Sequence, residues 1–532
     1  MSTFKLLPYK EFPFLSKLMQ DYADRKNELK PFIRDFPSVD TIIEYAKNKS
    51  FVTQNRSILH DVLTDQYESL EISNRTTFNI DALKKSNAYT ITTGHQLCLF
   101  TGPLYFIYKI ASIINLAEQC HFKDPKRVYV PVFWMATEDH DFEEINHFYG
   151  RKSKFEWETS EKGGVGRMNP SEVLQLTETL KKEFGLSING QKLSQLFTNA
   201  YQKETLSKAT QYLVNELFGS YGLVILDADD SRLKRLAIPC FEKEIKEEAV
   251  LKAYTKLETY WPDQYKKQVN ARACNLFYLD DNFRGRLIKN DHQVWEIDGK
   301  EGLIKEDDLI KDLNENPEKF SPNVLMRPMY QEIILPNLAY IGGGGEIAYW
   351  FLLKEIFDHF SIDFPFLVLR NSAINCSEKV QNKIENGVFS WKDLLLSESD
   401  FIAQYANENY KQNTHIESTK QQLEQLWEKL SKDHPELLAS LEHRAKHIDK
   451  TLDKTEVTLK RKWKSKQNQL VSTFSDMKQV IYPNTKFQER YSNFYEQYIV
   501  EGDCFIKSMV KECDVFNGGI LIHSTASITC EN

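Results

Sequence analysis

The stretch that decides the fold is AYTITTGHQLCLFTGP, residues 88–103, where a run of β-branched residues stops at a glycine. An apolar segment over residues 103–119 follows and begins with proline, which is favoured at the first position of a helix. A second strand-like run, RVYVPVFWMAT, occupies residues 127–137. Strand, helix and strand within about fifty residues form a βαβ unit, which predicts a parallel sheet buried on both faces.

Two further apolar runs have the same character as these strands. They are YGLVILDADD at residues 221–230 and FPFLVLRNSA at residues 364–373. We therefore predict an α/β fold whose parallel-sheet core is interrupted by two insertions. The predicted division is N-terminal helices with the first half of the core (1–150), a first insertion (151–220), a core strand (221–240), a second insertion (241–320), the second part of the core (321–390), an α-helical coiled-coil arm (391–480), and a C-terminal helix and tail (481–532).

The region from about 410 to 470 has a different pattern. After Pro435, apolar residues recur at alternating steps of three and four and are flanked by charged residues, which is typical of a coiled coil. The members of this seam are Leu438, Leu441, Ala445, Ile448, Leu452, Thr455 and Leu459. With an earlier apolar stripe before Pro435, the seam predicts an antiparallel helical hairpin. A plain amphipathic helix packed on its own core and a dimer-forming arm are the alternatives.

Composition narrows the classes of function. The formal net charge is −8 and charged residues make up 27% of the chain, which favours neither a nucleic-acid nor a membrane-surface partner. No apolar run approaches the ~18 residues that span a bilayer, and the N-terminus lacks the apolar segment of a signal peptide. The eight cysteines are scattered, without a Cys-x-x-Cys pair. The sequence thus predicts a cytoplasmic protein without a structural zinc site.

Polar residues directly follow the first two predicted strands. They are Gly94, His95, Gln96 and Gly102 after the first strand, and Glu138, Asp139, His140 and Asp141 after the second. Ligands of parallel sheets bind beyond the carboxyl ends of the strands, where the next helix offers free N–H groups to an anion. Neither Gly-x-Gly-x-x-Gly nor a P-loop is present here. The simpler alternatives are that His95 caps the helix and that Asp141 and Glu144 form a capping box.

A third dense stretch, VLMRPMYQEIILPNLAYIGGGGEIAYW, spans residues 324–350. Its four glycines form either a backbone nest for a ligand or a plain loop. The candidate ligand-binding residues in and after this stretch are Arg327, Gln331, Gly343, Gly344, Glu346, Tyr349, Arg370, Asn371 and Ser372. Arg370 at a strand end suits a carboxylate or phosphate, with a surface ion pair as the alternative. A metal site at His140, Asp141 and His147 matches no metal-ligand spacing, so no metal is predicted.

The stretches TTGHQLCLFTGPLYFIYKI, PVFWMATEDHDFEEINH, PNLAYIGGGGEIAYW and LRNSA resemble the BshC family, the cysteine ligases of bacillithiol biosynthesis. The resemblance implies a Rossmann-type core related to class I aminoacyl-tRNA synthetases, with two connecting-peptide insertions and a coiled coil that forms a homodimer. It also implies a carbon–nitrogen ligase that joins the carboxyl group of L-cysteine to the amine of glucosaminyl-malate. The turn after Gly94 looks like the HIGH-type turn of those synthetases.

This resemblance suggests roles for the candidate residues. ATP (or ADP) is the expected co-substrate, because an amine does not displace a carboxylate oxygen unaided. His95 and the following helix N-terminus would stabilise phosphate charge. Glu138, Asp139 or Asp141 would bind the cysteine ammonium or deprotonate the sugar amine. Arg370 and the glycines of residues 342–345 would hold phosphate or the malate carboxylates.

Other functions remain open on the sequence. One is a different nucleotide-dependent amide ligase or a nucleotidyl transferase of the class I synthetase type. A second is a non-catalytic, nucleotide-binding scaffold whose coiled coil does the work. A third is a metal-dependent hydrolase, which predicts sensitivity to chelators.

Overall fold

The computed structural model describes residues 3–151, 153–290, 294–411 and 413–525. These residues form two compact units. The first contains the chain up to Ser377 together with the residues from Lys486 onward, and the second runs from Glu378 to Thr485. In the described part of the chain, no helix is long and apolar enough to cross a membrane.

The strands belong to four sheets in the described residues. In chain order they are β1 (Thr3–Pro8), β2 (Ala88–His95), β3 (Val128–Met135), β4 (His147–Tyr149), β5 (Lys154–Glu156), β6 (Val224–Asp227), β7 (Leu276–Asp280), β8 (Phe283–Lys289), β9 (Val294–Ile297), β10 (Ile304–Lys305), β11 (Phe320–Pro322), β12 (Asn337–Gly342), β13 (Phe366–Leu369), β14 (Ser372–Ser377) and β15 (Gly519–Thr525).

Most helices lie between these strands in the first unit, and helices also make up the second unit. In chain order they are α1 (Lys17–Ala23), α2 (Val39–Asn48), α3 (Thr53–Tyr67), α4 (Asn74–Ala82), α5 (Tyr105–Lys123), α6 (Phe142–Ile145), α7 (Val173–Phe184), α8 (Ile188–Tyr201), α9 (Leu206–Phe218), α10 (Ser231–Glu247), α11 (Ala249–Glu258), α12 (Glu306–Glu315), α13 (Arg327–Ile334), α14 (Gly344–Trp350), α15 (Lys354–His359), α16 (Glu378–Glu385), α17 (Glu398–Asn409), α18 (Thr414–Asp433), α19 (Leu438–Ser465), α20 (Asn468–Ile481), α21 (Tyr495–Glu501) and α22 (Asp503–Glu512).

The central sheet has the strand order β13-β12-β2-β3-β6, and all four pairings are parallel. Numbered along the chain, this order is 5-4-1-2-3, which matches one arrangement of a doubly wound sheet. The strands are buried along almost their whole length, as β-branched runs with helices on both sides should be. The predicted α/β core is therefore confirmed. β12 is absent from the predicted strands, because the glycines that follow it dominate the local pattern.

The two segments predicted as insertions differ in structure. The chain between β3 and β6 is mostly helical, with α7, α8 and α9. The chain between β6 and β12 includes an antiparallel sheet in the order β10-β9-β8-β7-β11. Only residues 224–227 of the segment predicted as a core strand (221–240) form a strand, since α10 begins at Ser231.

A third sheet joins the beginning and the end of the chain. β15 pairs antiparallel with β1 and parallel with β14. The C-terminal tail, for which the sequence suggested no role, thus supplies the middle strand of this sheet as far as Thr525. Residues 526–532 of that tail lie outside the described residues.

The second unit contains the predicted helical hairpin. Lys420 on α18 pairs with Asp453 on α19 at 2.6 Å, and the backbone N of Asn413 donates to Glu456 at 3.3 Å. The residue number rises from 413 to 420 on the first side and falls from 456 to 453 on α19, which confirms the antiparallel arrangement. The unit begins at Glu378, earlier than the predicted arm of 391–480. Leu438 and Leu459, at the two ends of the predicted seam, are 46% and 37% exposed.

Candidate active site

A cavity of about 1050 Å³ opens at the carboxyl edge of the central sheet. It lies where β2 and β12 meet, the point at which the strand order reverses and where sheets of this type bind ligands. The predicted site residues that line it are Gly94, His95, Gln96, Glu138, Asp139, Arg327, Gly343, Glu346, Tyr349 and Arg370. The predicted site residues outside this lining are Gly102, His140, Asp141, Gln331, Gly344, Asn371 and Ser372.

A buried lysine ties the two central strands together at the edge of the cavity. Lys109 on α5 donates to the backbone O of Gly94 and contacts both carboxylate oxygens of Glu346 at 2.8 Å. Glu346 also accepts the backbone N–H of Gly343 at 2.8 Å. Burial alone would raise the pKa of Glu346, but Lys109 and the Gly343 amide hold it below its usual value. A single lysine in the otherwise apolar start of α5 is a sequence signal that the prediction missed.

His95 is held as a neutral imidazole. Burial, reinforced by the nearby positive charge of Lys109, lowers the pKa of His95 to about 4. Its Nδ1 lies 2.8 Å from the carbonyl O of Gln96. Because a carbonyl only accepts, Nδ1 carries the proton, and Nε2 of the neutral ring is left as a hydrogen-bond acceptor. Cys98, 3.9 Å from Nδ1, is a protonated thiol, since burial raises its pKa to about 12.

The helix predicted over residues 103–119 is observed as α5, Tyr105–Lys123. Residues 96–104 lie between His95 and α5, so His95 caps no helix. The intervening turn has left-handed backbone at Phe100 and at Gly102 (φ +66°), and the Asn493 amide donates to the carbonyls of both residues. Gly102 thus shapes the turn, where an added Cβ would lie 2.6 Å from the Cβ of Cys98, and it does not line the cavity.

The segment after β3 is organised around Asp139. Its Oδ2 accepts from Gln96 Nε2 at 2.8 Å, and its Oδ1 accepts the backbone N–H of His140 at 2.7 Å and of Asp141 at 3.3 Å. Burial opposes ionisation, but the side chain of His140, these hydrogen bonds and the charge of Arg284 hold the pKa of Asp139 well below its usual value. Asp141 is exposed, and its side chain makes no capping bond to α6, so the capping box is not formed.

Glu138 is the more basic carboxylate of the pair. It contacts Lys234, whose side chain is fully buried and also donates to the carbonyl O of Phe320. Burial raises the pKa of Glu138, and the ion pair with Lys234 only partly offsets that effect. An ionisable group with a raised pKa in a cavity is the type of group that accepts a proton in catalysis.

Arg370 is already paired. Its Nη2 donates to Glu489 Oε1 at 2.6 Å and its Nη1 to Glu489 Oε2 at 3.0 Å, with both side chains buried. The sequence suggested either a ligand or a surface ion pair for Arg370. It did not suggest a buried ion pair, because Glu489 is 119 residues away in sequence. Asn371 and Ser372 support the arrangement: Asn371 bonds with Ser112, and Ser372 donates to Glu489 at 3.3 Å. Nε of Arg370 is buried without a hydrogen-bond partner among the described residues, so it remains for a ligand.

The second insertion contributes a basic wall that the sequence did not predict. Arg284 and Arg286 alternate on β8, so both side chains point to the same face of that strand, and both line the cavity. Arg284 contacts His140 Nδ1 at 2.7 Å and lies over the ring of Phe277. Arg272 and Arg490 also line the cavity. No ion pair with a carboxylate is found for these four arginines or Arg327 in the described chain, and the spacing Arg-Gly-Arg on a strand was the available signal.

The described ranges contain no group of three or more histidine, cysteine or carboxylate side chains that could hold a metal ion. The lining instead offers carboxylates at the end of β3 and cationic arginines. Such a set can hold an amino acid, phosphoryl groups and carboxylates at the same time.

Two family models match the chain. The first is described as bacillithiol biosynthesis BshC, N-terminal Rossmann-like domain, and matches residues 3–371. The second is described as bacillithiol biosynthesis BshC, C-terminal coiled-coil domain, and matches residues 373–524. The boundary between the two matches falls just after Arg370, at the start of β14.

Proteins named cysteine ligase BshC are similar over nearly the whole chain. The one from Flavobacterium johnsoniae is 39% identical over 515 residues, which are 95% of this chain and 97% of that protein. The one from Flavobacterium psychrophilum is 39% identical over 518 residues, 94% of this chain and 96% of that protein. The one from Lysinibacillus sphaericus is 26% identical over 526 residues, 94% of this chain and 96% of that protein.

Proposed function

This chain belongs to the BshC family, and from that premise we propose that it joins the carboxyl group of L-cysteine to the amine of glucosaminyl-malate. The product is an amide, and the reaction is the last step of bacillithiol biosynthesis. The enzyme is thus a carbon–nitrogen ligase with two polar substrates. One substrate is an amino acid and the other carries the two carboxylates of malate.

The observation that carries this proposal is the composition of the cavity wall. The carboxylates of Glu138 and Asp139 lie at the end of β3, where they suit an ammonium or amine group. Arg284 and Arg286 line the same cavity and have no carboxylate partner in the described chain, so they suit the malate carboxylates. The cavity thus has carboxylates after β3 and arginines on β8, which fits the joining of an amine to an acid.

We propose ATP as the co-substrate that activates cysteine. A carboxylate oxygen of cysteine attacks the α-phosphorus of ATP, and pyrophosphate leaves. The sugar amine then attacks the carbonyl carbon of the adenylate, a carbon–nitrogen bond forms, and the carbon–oxygen bond to AMP breaks. The positive charges of Arg327 and Arg490 on the cavity wall support this step by favouring the phosphoryl groups.

Protein groups handle the protons of this reaction. Glu138 accepts the proton that the sugar amine loses, because its raised pKa makes it a better base than an ordinary carboxylate. Asp139 holds Gln96 at the cavity wall. The neutral His95 uses Nε2 as an acceptor for the cysteine ammonium, and the arginines take over the phosphate contact that the sequence assigned to His95.

The test is a mass-spectrometric assay of purified protein with glucosaminyl-malate and cysteine, with and without ATP. The amide should form only when all three substrates are present. Serine in place of cysteine is the matched control for the amino acid, and glucosamine without malate is the control for the arginine wall. Absence of the amide under every condition would contradict the proposal.

We also propose that the coiled-coil domain forms a homodimer. No side chain of α18 or α19 is fully buried, and Leu426 and Val457 are 47% and 67% exposed. Apolar side chains left open along a helical hairpin favour a second copy of the same hairpin. Light scattering should therefore give about twice the chain mass of 62.2 kDa, and Val457→Glu should return the protein toward that mass.

A further inference from the structure

Behind the cavity wall, a chain of buried polar side chains leads from Arg327 into the core. Arg327 Nη1 donates to Gln331 Oε1 at 3.0 Å, and Gln331 Nε2 donates to Glu332 Oε1 at 3.0 Å. Gln331 is fully buried and Glu332 is 5% exposed. Neither residue lines the cavity, and Arg327 is the cavity residue to which Gln331 is hydrogen-bonded.

The far end of this chain is anchored on the central sheet. Asn337, the first residue of β12, donates from Nδ2 to Glu332 Oε1 at 2.7 Å. Its Oδ1 accepts from the hydroxyls of Thr92 and Thr90 on β2, at 2.9 and 3.2 Å. Because Oδ1 is occupied by these hydroxyls, the amide nitrogen of Asn337 must face Glu332. Glu332 Oε1 therefore receives two amide N–H groups.

Glu332 is costly in this position. Its Oε2 is buried without a hydrogen-bond partner, and no lysine or arginine of the described chain forms an ion pair with it. A buried carboxylate with an unpaired oxygen destabilises the fold relative to an apolar residue of similar shape. Burial raises the pKa of Glu332 to about 7. What the carboxyl group provides is orientation: with any proton on the unpartnered Oε2, Oε1 accepts in either protonation state, so Gln331 turns its amide nitrogen to Glu332 and its carbonyl oxygen to Arg327.

The near end of the chain leaves a donor for a ligand. Arg327 Nη2 is buried and has no hydrogen-bond partner in the described chain. The guanidinium lies 5.4 Å from the ring of Trp134 and 5.6 Å from the ring of Tyr340, two other residues of the cavity wall. A planar cation held on one side by Gln331 and flanked by two rings has little freedom, which favours binding of an anion in one orientation.

We propose that Glu332 is a positioning residue, which acts through Gln331 to aim Arg327 at an anionic oxygen of a substrate. This inference rests on the proposed function, which places an anionic substrate in the cavity. The oxygen belongs to a carboxylate or to a phosphoryl group, and the two sources are separated by testing glucosaminyl-malate and ATP individually.

The experiment measures binding of each of these two compounds by titration calorimetry, without turnover. Glu332→Met and Gln331→Met remove the hydrogen bonds that orient Arg327. Each should lower the affinity for the compound that Arg327 contacts about tenfold. Glu332→Gln, which keeps an acceptor oxygen, should recover most of that affinity. Adding Glu332→Met to Arg327→Met should cause no further loss, because the two residues act as one unit.

Thr90→Val is the matched control. It removes a hydrogen bond at the far end of the same network, and it should lower the melting temperature without changing either affinity. Wild-type affinities in Glu332→Met and Gln331→Met, with only a lower melting temperature, would overturn the proposal. So would the absence of any binding that depends on Arg327. A wild-type protein that forms no amide but shows the expected affinity losses would refute the proposed function and leave the positioning role standing.

Discussion

Lys109 Nζ lies 2.8 Å from both carboxylate oxygens of Glu346, and it joins the helix after β2 to the helix after β12. These are the two strands between which the strand order reverses. The lysine is almost completely buried, whereas the glutamate faces the cavity. The ion pair therefore fixes the geometry of the site at the point where a ligand would enter between the strands.

Replacing Lys109 by methionine should destabilise the fold by about 3 kcal/mol, because Glu346 would be left without its countercharge. Urea denaturation at pH 7 measures the change in the free energy of unfolding. The double variant Lys109→Met/Glu346→Gln should be more stable than Lys109→Met alone, since no uncompensated charge remains. Equal stability of the wild type and Lys109→Met would show that the pair does not hold the strands together.

The depressed pKa of His95 predicts a pH dependence of stability. The folded chain holds His95 neutral down to a pKa of about 4, whereas in the unfolded chain an ordinary histidine binds a proton below about pH 6.5. Between these values the unfolded state binds more protons, so stability should fall as the pH falls from 6.5 toward 4. His95→Asn should lose less stability than the wild type between pH 7 and pH 5. Parallel losses in the two proteins would contradict the burial of a neutral imidazole.

Asp139 and Asp141 should differ in their effect on the ligase rate, although they are separated by one residue. Asp139→Asn replaces the acceptor of Gln96 Nε2 and weakens two backbone hydrogen bonds, so we expect kcat/KM to fall about tenfold or more. Asp141→Asn changes an exposed side chain outside the cavity and should stay within about twofold of the wild type. Steady-state kinetics of both variants make the comparison. An equal loss in the two would mean that Asp141 reaches the substrate.

The arginines of the second insertion should govern affinity for the malate group. Arg284→Met and Arg286→Met should each raise the KM for glucosaminyl-malate about tenfold and leave the KM for cysteine unchanged, because each removes one charged hydrogen-bond donor. Lys300→Met is a control in the same insertion, where Lys300 pairs with Asp280 outside the cavity lining. A change in the KM for cysteine alone would contradict the binding of the malate group by these arginines.

Four strands of the central sheet, β2, β3, β6 and β13, could be predicted because each apolar run had a clear end, whereas β12 was hidden by the glycines that follow it. The polar residues after β2 and β3 could also be predicted, since parallel strands bring their carboxyl ends to one edge. By contrast, the turn at Gly102 and the ion pair of Arg370 could not be predicted from the sequence. Gly102 serves a left-handed turn, and Arg370 meets Glu489 only after the C-terminal part of the chain has folded against the core.

The Arg-Gly-Arg spacing on β8 was visible in the sequence, but local patterns could not place these arginines at the cavity. Arg284 and Arg286 belong to an insertion whose short strands were hard to assign, and only the folded chain shows that β8 borders the cavity. Lys109 was visible as a single lysine in an apolar stretch, but its role was missed for another reason. A lysine in an amphipathic helix usually reaches solvent, and its burial here depends on Glu346, far away in sequence.

The most direct test of the account follows the oxygen atoms of cysteine. The wild-type protein is supplied with ATP, glucosaminyl-malate and L-cysteine labelled with ¹⁸O in both carboxylate oxygens, and the products are analysed by mass spectrometry. We predict an amide that retains one ¹⁸O and AMP that carries the other, because the oxygen that attacks ATP leaves with the nucleotide. An amide formed without ¹⁸O in AMP would contradict activation of cysteine as an adenylate.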